Sequence, residues 1–198
     1  MTTGGGWQDQ VGGLVGGVKV VSSEPGLPQR IHVEPVRLPL EIASELSKRL
    51  VLVYTGQRRL AKNLLQRVMG RWMARDPEMV WIQKEIARLA LAMRDKLLAG
   101  DVGGFGAHLS EHWDLNKRMD PGCTNPFIDD LFTAMSSYIS GAKLAGAGGG
   151  GFVIAVARTV DNVAELAEML DQAYAGTQVR IWPCAIPEAG IVSQVQRH

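Results

Sequence analysis

One glycine-rich stretch, GAKLAGAGGGGFVIAVA at residues 141–157, constrains the fold more than any other part of the chain. Six of its first eleven residues are glycine. Each glycine in regular structure costs about 0.5–1 kcal/mol relative to alanine, so this cluster needs either a role for bare backbone or the flexibility of a linker. The apolar run FVIAVA that follows is typical of a buried strand. We therefore expect a loop that lies inside a packed unit.

Three explanations for these glycines stay open. A flexible linker fits least well, because linkers are flanked by polar, serine-rich sequence, whereas here an amphipathic helix is predicted before the loop and a strand after it. A second explanation is a tight crossing of that helix and strand, where side chains would clash. The third is a loop that faces an anion or a neighbouring phosphate loop, since successive glycines allow positive φ angles that gather N–H groups into one concavity.

Two familiar nucleotide-binding motifs do not match this stretch. A Walker A loop requires Lys followed by Ser or Thr after its glycines, and that pair is absent here. A dinucleotide-binding fingerprint opens a helix after a strand, whereas this loop precedes a strand. The sequence pattern alone therefore leaves the ligand of the loop open.

Hydrophobic periodicity along the chain predicts an α+β fold. Helices are predicted at residues 58–75, 77–99, 102–118, 125–140 and 161–174. Strands are predicted at 29–38, 49–56, 152–157 and 177–184, and residues 11–21 are predicted as a loop followed by a strand. This order favours an antiparallel sheet with helices packed on one face. The last β-α-β piece fits half of a ferredoxin-like split unit.

The composition is that of an ordinary soluble globular protein, with 46% hydrophobic residues and a formal net charge of +1. The interleaved charges give no argument for binding nucleic acid or an anionic membrane. No apolar run approaches about 18 residues, so we expect no membrane span, and the N-terminus lacks the layout of a signal peptide. Cys123 and Cys184 lie far apart without a CxxC motif, so we expect neither a disulfide nor a zinc site, and a cytoplasmic location.

A second glycine-rich segment near the N-terminus, TGGGWQDQVGG at residues 3–13, contains a carboxylate. A lone aspartate beside glycines is usually a turn residue that bonds its own backbone. Here Trp7, Gln8 and Gln10 surround Asp9 with an aromatic ring and amide groups, as in a binding pocket. The segment is typical of the interior of a longer protein.

Four segments in this order resemble the C-terminal part of the GHMP kinases, a superfamily of small-molecule kinases: GGGWQDQVGG, LVLVYTGQRRLAKNLL, HWDLNKRM and GAKLAGAGGGGFVIAVA. The likeness covers residues 4–157 well and the tail to Cys184 loosely. It is greatest to the L-fucokinases, because of the Trp before QDQ, and next to the bacterial heptose-7-phosphate kinases. It implies that residues 1–40 are the incomplete edge of the N-terminal kinase domain and that residues 41–198 are the ferredoxin-like C-terminal domain.

The resemblance also implies roles for individual residues. Asp9 is the implied catalytic residue, as a general base or an orienting carboxylate for the sugar hydroxyl that attacks the ATP γ-phosphate. Trp7 and Gln8 are expected to contact the sugar. Arg58 is expected to reach the substrate or a phosphate, or to be a solvated arginine at a helix start, and Lys143 is expected to approach the same pocket. The glycines expected to support the phosphate-binding loop are Gly146, Gly148, Gly149 and Gly150.

The implied substrates are ATP and a small sugar, L-fucose, with fucose 1-phosphate as the product and Mg²⁺ as the metal. In the GHMP kinases a Pro-rich Gly-Leu-Gly-Ser-Ser loop binds the ATP phosphates, and the Mg²⁺ ligands belong to the same N-terminal half. This chain has no such loop, so we expect no metal ligand in it. Asp9 alone would repel the γ-phosphate, so we expect little kinase activity without an N-terminal kinase half as partner.

Other functions remain compatible with the sequence. One alternative is a non-catalytic module that binds a sugar or a nucleotide, and another is a fragment of a heptose-phosphate kinase. A third is a purely structural α+β domain whose glycines serve packing.

Overall fold

The computed structural model describes residues 6–57 and 62–190, and within them the strands form two antiparallel sheets. A small hairpin near the N-terminus pairs β1 (Lys19–Ser23) with β2 (Ile31–Pro35). The main sheet has four strands in the order β4-β5-β3-β6. These strands are β3 (Leu50–Tyr54), β4 (Ile139–Leu144), β5 (Phe152–Ala157) and β6 (Arg180–Pro183).

Seven helices within the described residues surround these sheets. They are α1 (Gln8–Leu14), α2 (Leu40–Arg49), α3 (Lys62–Met73), α4 (Pro77–Leu98), α5 (Val102–Met119), α6 (Pro126–Met135) and α7 (Asp161–Ala173). Side-chain caps fix the starts of α4, α5 and α6 among the described helices. The Asp101 carboxylate accepts from the Gly104 N–H of α5. The Asp76 carboxylate accepts from two N–H groups at the start of α4, and the Asn125 side chain accepts from the Ile128 N–H of α6. Helices α4 and α6 also have proline at the first position, where a missing N–H costs nothing.

The main sheet has the ferredoxin-like topology. Along the chain, β3 is followed by the block α3–α6, the hairpin β4–β5, helix α7 and finally β6. The first of these strands lies between the third and the fourth, and every neighbouring pair is antiparallel. This is the β-α-β-β-α-β arrangement, and the predicted α+β fold with an antiparallel sheet is confirmed.

The first face of the sheet forms the main core. Its strand residues are fully buried and pack against helices α3, α6 and α7, which contribute Leu64, Ile128, Leu131, Leu166 and Leu170. The strand residues in this cluster are Val51, Val53, Ala142, Leu144, Val153 and Ala155. At about 25 cal/mol per Å² of buried apolar surface, this face is the principal stabilising element of the fold.

The second face is only partly covered. At one end, Leu50 and Val156 are buried with Leu46 of α2 and Leu109 of α5. At the other end, Phe152 and Trp182 keep 42% and 45% of their surface exposed. The two faces of the same sheet therefore differ in burial, and the second face is open at one end.

Helix α5 covers the outer edge of the sheet. Its Ser110 hydroxyl accepts a hydrogen bond of 3.1 Å from the Ala142 N–H of β4. Gly106 of α5 lies so close to Gly141 of β4 that a Cβ on Gly141 would overlap the Gly106 carbonyl oxygen. An uncovered edge strand is a template for aggregation, and this close approach protects β4.

The prediction for the fourth helix was wrong at its C-terminal end. Helix α6 ends at Met135, and residues 139–144 are strand β4 rather than the end of a helix. The glycine loop therefore joins two strands of a hairpin, and no helix enters it. Because Ile139 follows Met135 at helical spacing, the helical pattern of apolar residues seemed to continue to residue 140. Pairing with β5 makes this segment a strand instead. The crossing considered at the loop, of the preceding helix with the following strand, therefore does not exist. A different close crossing lies at the start of the stretch, between α5 and Gly141 of β4.

Two helices lie where the sequence predicted none. Helix α1 occupies part of the segment predicted as a loop followed by a strand, and α2 lies between the predicted strands. In α1, two glycines in seven residues hide the helical signal. In α2, Ile42 and Leu46 do lie at helical spacing and pack on the second face.

We expect Gly141→Ala to lower the free energy of unfolding by about 2–4 kcal/mol, because the added methyl group must displace backbone of α5. Gly70→Ala is the matched control, since Gly70 is an exposed glycine within α3 whose added Cβ meets nothing within 4 Å. That control is expected to gain about 0.5–1 kcal/mol from helix propensity. Urea unfolding of both variants measures the difference, and equal stabilities would contradict the close packing of α5 on β4.

Candidate active site

The loop between β4 and β5 is held by backbone contacts on two sides. On one side the Gly149 N–H donates to the Cys123 carbonyl, in the short 3-10 turn Pro121–Cys123. On the other side the Gly151 N–H donates to the Gln57 carbonyl at 3.0 Å, and the Thr55 hydroxyl donates to the Gly151 carbonyl at 3.0 Å. The loop is thus clamped between the segment that follows β3 and the turn that precedes α6.

The conformation of the loop requires glycine. Positive φ angles occur at Gly146, Gly148, Gly149, Gly150 and Gly151, at +70°, +90°, +81°, +150° and +87°. A Cβ would lie 2.6 Å from the Cys123 carbonyl oxygen at position 148, and 2.6 Å from the Gln57 carbonyl oxygen at position 150. Both the backbone angles and the close contacts therefore exclude side chains here.

Some N–H groups of the loop remain available. Within the described residues, no hydrogen-bond partner is found for the N–H groups of Gly146, Gly148 and Gly150. Those of Gly149 and Gly151 are consumed by the clamp. Free N–H groups on residues with positive φ are the usual donors for anions and for neighbouring loops. The predicted supporting role of Gly146, Gly148, Gly149 and Gly150 stays a prediction.

An ion pair braces the turn that holds the loop. The Arg67 guanidinium of α3 donates two hydrogen bonds to the buried Asp120 carboxylate, at 2.6 and 3.1 Å. The same carboxylate accepts from the Gly122 N–H at 2.7 Å. Burial, aided by the nearby Asp120 charge, raises the pKa of the Cys123 thiol to about 11, so this cysteine is a neutral packing residue and a poor nucleophile.

The predicted catalytic segment lies on the first turn of α1. Trp7 is the residue before the helix, and Gln8 and Asp9 are its first two residues. Asp9 is exposed, and its carboxylate has no hydrogen bond or ion pair with another described residue. Its predicted catalytic role stays a prediction. No hydrogen bond joins this segment to the glycine loop within the described part of the chain.

Of the other two predicted substrate contacts, Arg58 and Lys143, the structure describes only Lys143. Arg58 lies outside the described residues. Lys143 lies on β4, opposite Ile154 of β5, on the second face of the sheet. Burial lowers the pKa of its ammonium group, and no carboxylate pairs with it among the described residues.

His112 of α5 lies near Lys143, and the sequence did not single it out. Burial, together with the Lys143 charge, lowers the pKa of His112 to about 4. The imidazole is therefore neutral near pH 7. The histidine belongs to the segment HWDLNKRM, but its position next to Lys143 depends on how α5 lies along β4, which no spacing in the sequence reveals.

The described residues show neither a cluster of metal-ligating side chains nor a membrane-spanning helix. No group of three or more His, Cys, Asp or Glu side chains is arranged to hold a metal ion there. Among the described helices, none combines the length and the apolar character that a membrane crossing requires.

Comparison with known proteins agrees with this fold. Residues 93–176 match the family model described as GHMP kinases C terminal. In structure, the chain is similar to L. major mevalonate kinase in complex with R-mevalonate, with a TM-score of 0.68 over 85% of this chain and 50% of that one. The sequence identity of that pair is 20%, so this similarity shows the fold.

Three characterised relatives are similar in sequence. The bifunctional fucokinase/GDP-fucose pyrophosphorylase of Arabidopsis thaliana is 41% identical over 186 residues, covering 94% of this chain and 18% of that protein. The L-fucokinase/L-fucose-1-P guanylyltransferase of Bacteroides fragilis is 30% identical over 197 residues, covering 100% and 20%. The D-glycero-alpha-D-manno-heptose 7-phosphate kinase of Campylobacter jejuni is 29% identical over 150 residues, covering 75% and 43%. The chain thus spans about a fifth of the two fucokinase relatives.

The low pKa of His112 predicts a loss of stability in acid. Its pKa is about 4 in the folded chain and 6.5 ordinarily. Between pH 4 and pH 6.5, His112 is therefore protonated in the unfolded chain and largely neutral in the folded chain. The free energy of unfolding therefore falls as the pH drops from 6.5 towards 4. We expect His112 to account for about 2 kcal/mol of that fall.

Urea unfolding at pH 7 and pH 4.5 tests this expectation. His112→Gln is expected to show a smaller fall in stability than the unsubstituted chain. His32→Gln is the control, because His32 is an exposed histidine that contacts Glu24. If His112→Gln loses as much stability in acid as the unsubstituted chain, the buried neutral imidazole is contradicted.

Proposed function

We propose that this chain, which contains a GHMP kinase C-terminal domain, is the C-terminal part of an ATP-dependent sugar kinase that converts L-fucose to fucose 1-phosphate. The observation that carries the proposal is the 41% identity over 186 residues with a protein named for fucokinase activity. The second fucokinase relative aligns with the whole chain. The resemblance therefore includes both the Asp9 segment and the glycine loop.

In this proposal Asp9 acts on the sugar. Its carboxylate is exposed and has no recorded partner within the described residues, so it is free to accept a hydrogen bond from a sugar hydroxyl. A positioned carboxylate of this kind orients the hydroxyl and takes up its proton as the bond to the γ-phosphorus forms. Trp7 and Gln8, beside it, are proposed to contact the sugar by ring stacking and amide hydrogen bonds.

The glycine loop acts in this proposal as a rigid support. Backbone hydrogen bonds and the Thr55 hydroxyl fix the loop. The N–H groups of Gly146, Gly148 and Gly150, which have no partner among the described residues, are proposed to face a phosphate or a loop that binds one. Because phosphoryl transfer depends on positioning and charge neutralisation, a rigid support is useful and a flexible linker is not.

We infer that this chain alone transfers little phosphate. GHMP kinases generally use Mg²⁺ together with ATP, and among the described residues no group of three or more His, Cys, Asp or Glu side chains is arranged to hold a metal ion. The Asp9 carboxylate is itself negative. Donors and a metal from an N-terminal kinase half are needed to hold the γ-phosphate.

A second candidate substrate follows from the third relative. The Campylobacter jejuni protein, named as a heptose 7-phosphate kinase, is 29% identical over 150 residues. A phosphorylated heptose is therefore the competing acceptor. The lower identity and the shorter alignment favour L-fucose.

A chimera tests the proposed function. The segment of the Arabidopsis thaliana protein that aligns with this chain is replaced by this chain, and ATP consumption is measured with L-fucose and with a heptose 7-phosphate. We expect L-fucose-dependent turnover that falls about 100-fold or more in the Asp9→Asn chimera, because general bases contribute about 10²–10⁴ to the rate.

The control for this experiment is Asp161→Asn, since Asp161 is an acidic residue in the first turn of a different helix, α7. That chimera is expected to keep its activity. A chimera that unfolds in a cooperative transition but never consumes ATP with L-fucose contradicts the proposal, and so does full activity of Asp9→Asn. Preference for the heptose would favour the second candidate.

A further inference from the structure

The open end of the second sheet face carries side chains that the proposed function does not yet use. Strand pairing places Phe152, Tyr54 and Arg180 in one row across β5, β3 and β6. The next row contains Lys143, Ile154, Leu52 and Trp182. Neighbouring residues of one row, and diagonal pairs such as Lys143 and Phe152, lie within reach of long side chains.

Three aromatic rings form a continuous surface on this face. The ring centroids of Tyr54 and Phe152 are 5.2 Å apart, and those of Phe152 and Trp182 are 5.9 Å apart. Phe152 and Trp182 are exposed, whereas the strand residues of the opposite face are fully buried. We call these three rings the aromatic surface. Exposed rings of this kind stack well on the face of another ring.

The charged side chains that the four strands bring to this face are positive. Strands β3, β4, β5 and β6 contain no aspartate or glutamate, but they contain Lys143 and Arg180. The Arg180 guanidinium donates to the carbonyls of Thr177 and Val179. Lys143 has no ion pair within the described residues, and the adjacent His112 is neutral near pH 7. A partly buried ammonium group without a counter-ion is costly, and an anion relieves that cost.

We propose that this face binds a phosphate group carried by a ring-bearing metabolite, with Lys143 as the anion contact and the aromatic surface as the stacking platform. The proposal deepens the proposed function and rests on it for the choice of ligands. Both a sugar phosphate and a nucleotide have this chemistry. The cation attracts the phosphate, and the rings stack on the attached pyranose or base.

Ligand titration of the isolated chain, followed by NMR, tests the proposal. The probes are L-fucose 1-phosphate, ATP, unphosphorylated L-fucose and inorganic phosphate. We expect a phosphate-bearing ring compound to shift the amide signals of Lys143 and Phe152 and the Trp182 indole signal, and to bind more tightly than either L-fucose or inorganic phosphate. The relative affinities of L-fucose 1-phosphate and ATP show which source supplies the phosphate.

Substitutions separate the two parts of the site. Lys143→Met keeps the aliphatic stem and removes the charge, so we expect it to weaken binding at least about tenfold, while Lys143→Arg retains most of the affinity. Phe152→Ala is expected to weaken the ring-bearing ligands and to leave inorganic phosphate unchanged. Lys117→Met is the control, because Lys117 is ion-paired with Asp114 on the surface of α5.

Three results would overturn this proposal. They are an absence of shifts on this face with every probe, equal affinity of Lys143→Met and the unsubstituted chain, and equal binding of inorganic phosphate and the ring compounds. The amide spectrum away from the face shows that each variant is folded. Because the chimera assay measures turnover and this titration measures binding to the isolated chain, either proposal can fail without the other.

Discussion

The hydrogen bonds that the glycine loop makes with the carbonyls of Cys123 and Gln57 fix the position of the loop on which the candidate site depends. They join β3, the turn before α6 and the β4–β5 hairpin, which are distant in sequence. Each hydrogen bond contributes about 0.5–1.5 kcal/mol, a gain similar to the entropic cost of each glycine. The glycines are therefore not explained by stability alone. The N–H groups of Gly146, Gly148 and Gly150 have no partner among the described residues, and in the proposed function they face a phosphate or a loop that binds one.

The two faces of the main sheet differ in burial: one forms the main core and the other is partly exposed. The first face is buried by α3, α6 and α7 and supplies most of the apolar burial. The second face is closed at one end by α2 and α5 and left open at the other, where the aromatic surface and Lys143 lie. An exposed apolar surface of this kind usually marks an interaction site. The glycine loop joins β4 and β5, and Lys143 and Phe152 lie on these two strands, so both candidate contacts belong to the same hairpin.

The sequence predicted the elements whose period is strong and local. The start of α4 at Pro77, the strand before Thr55 and the strand after the glycines were all recognisable. Strand β4 was missed because ISGAKL has little strand propensity, and its conformation comes from pairing with β5 and from the contact between Gly141 and Gly106. For the site, the glycines followed from their pattern. The clamp and the proximity of His112 to Lys143 did not, because they involve residues brought together only by the tertiary fold.

Amide hydrogen exchange of the loop glycines tests the central claim most directly. If the loop is clamped as described, the amides of Gly149 and Gly151 exchange slowly, while those of Gly146, Gly148 and Gly150 exchange rapidly. That pattern would show a loop fixed at Gly149 and Gly151, with free donors before them at Gly146 and Gly148 and between them at Gly150. Uniformly rapid exchange at all five glycines would contradict the clamp, and uniformly slow exchange would contradict the free donors.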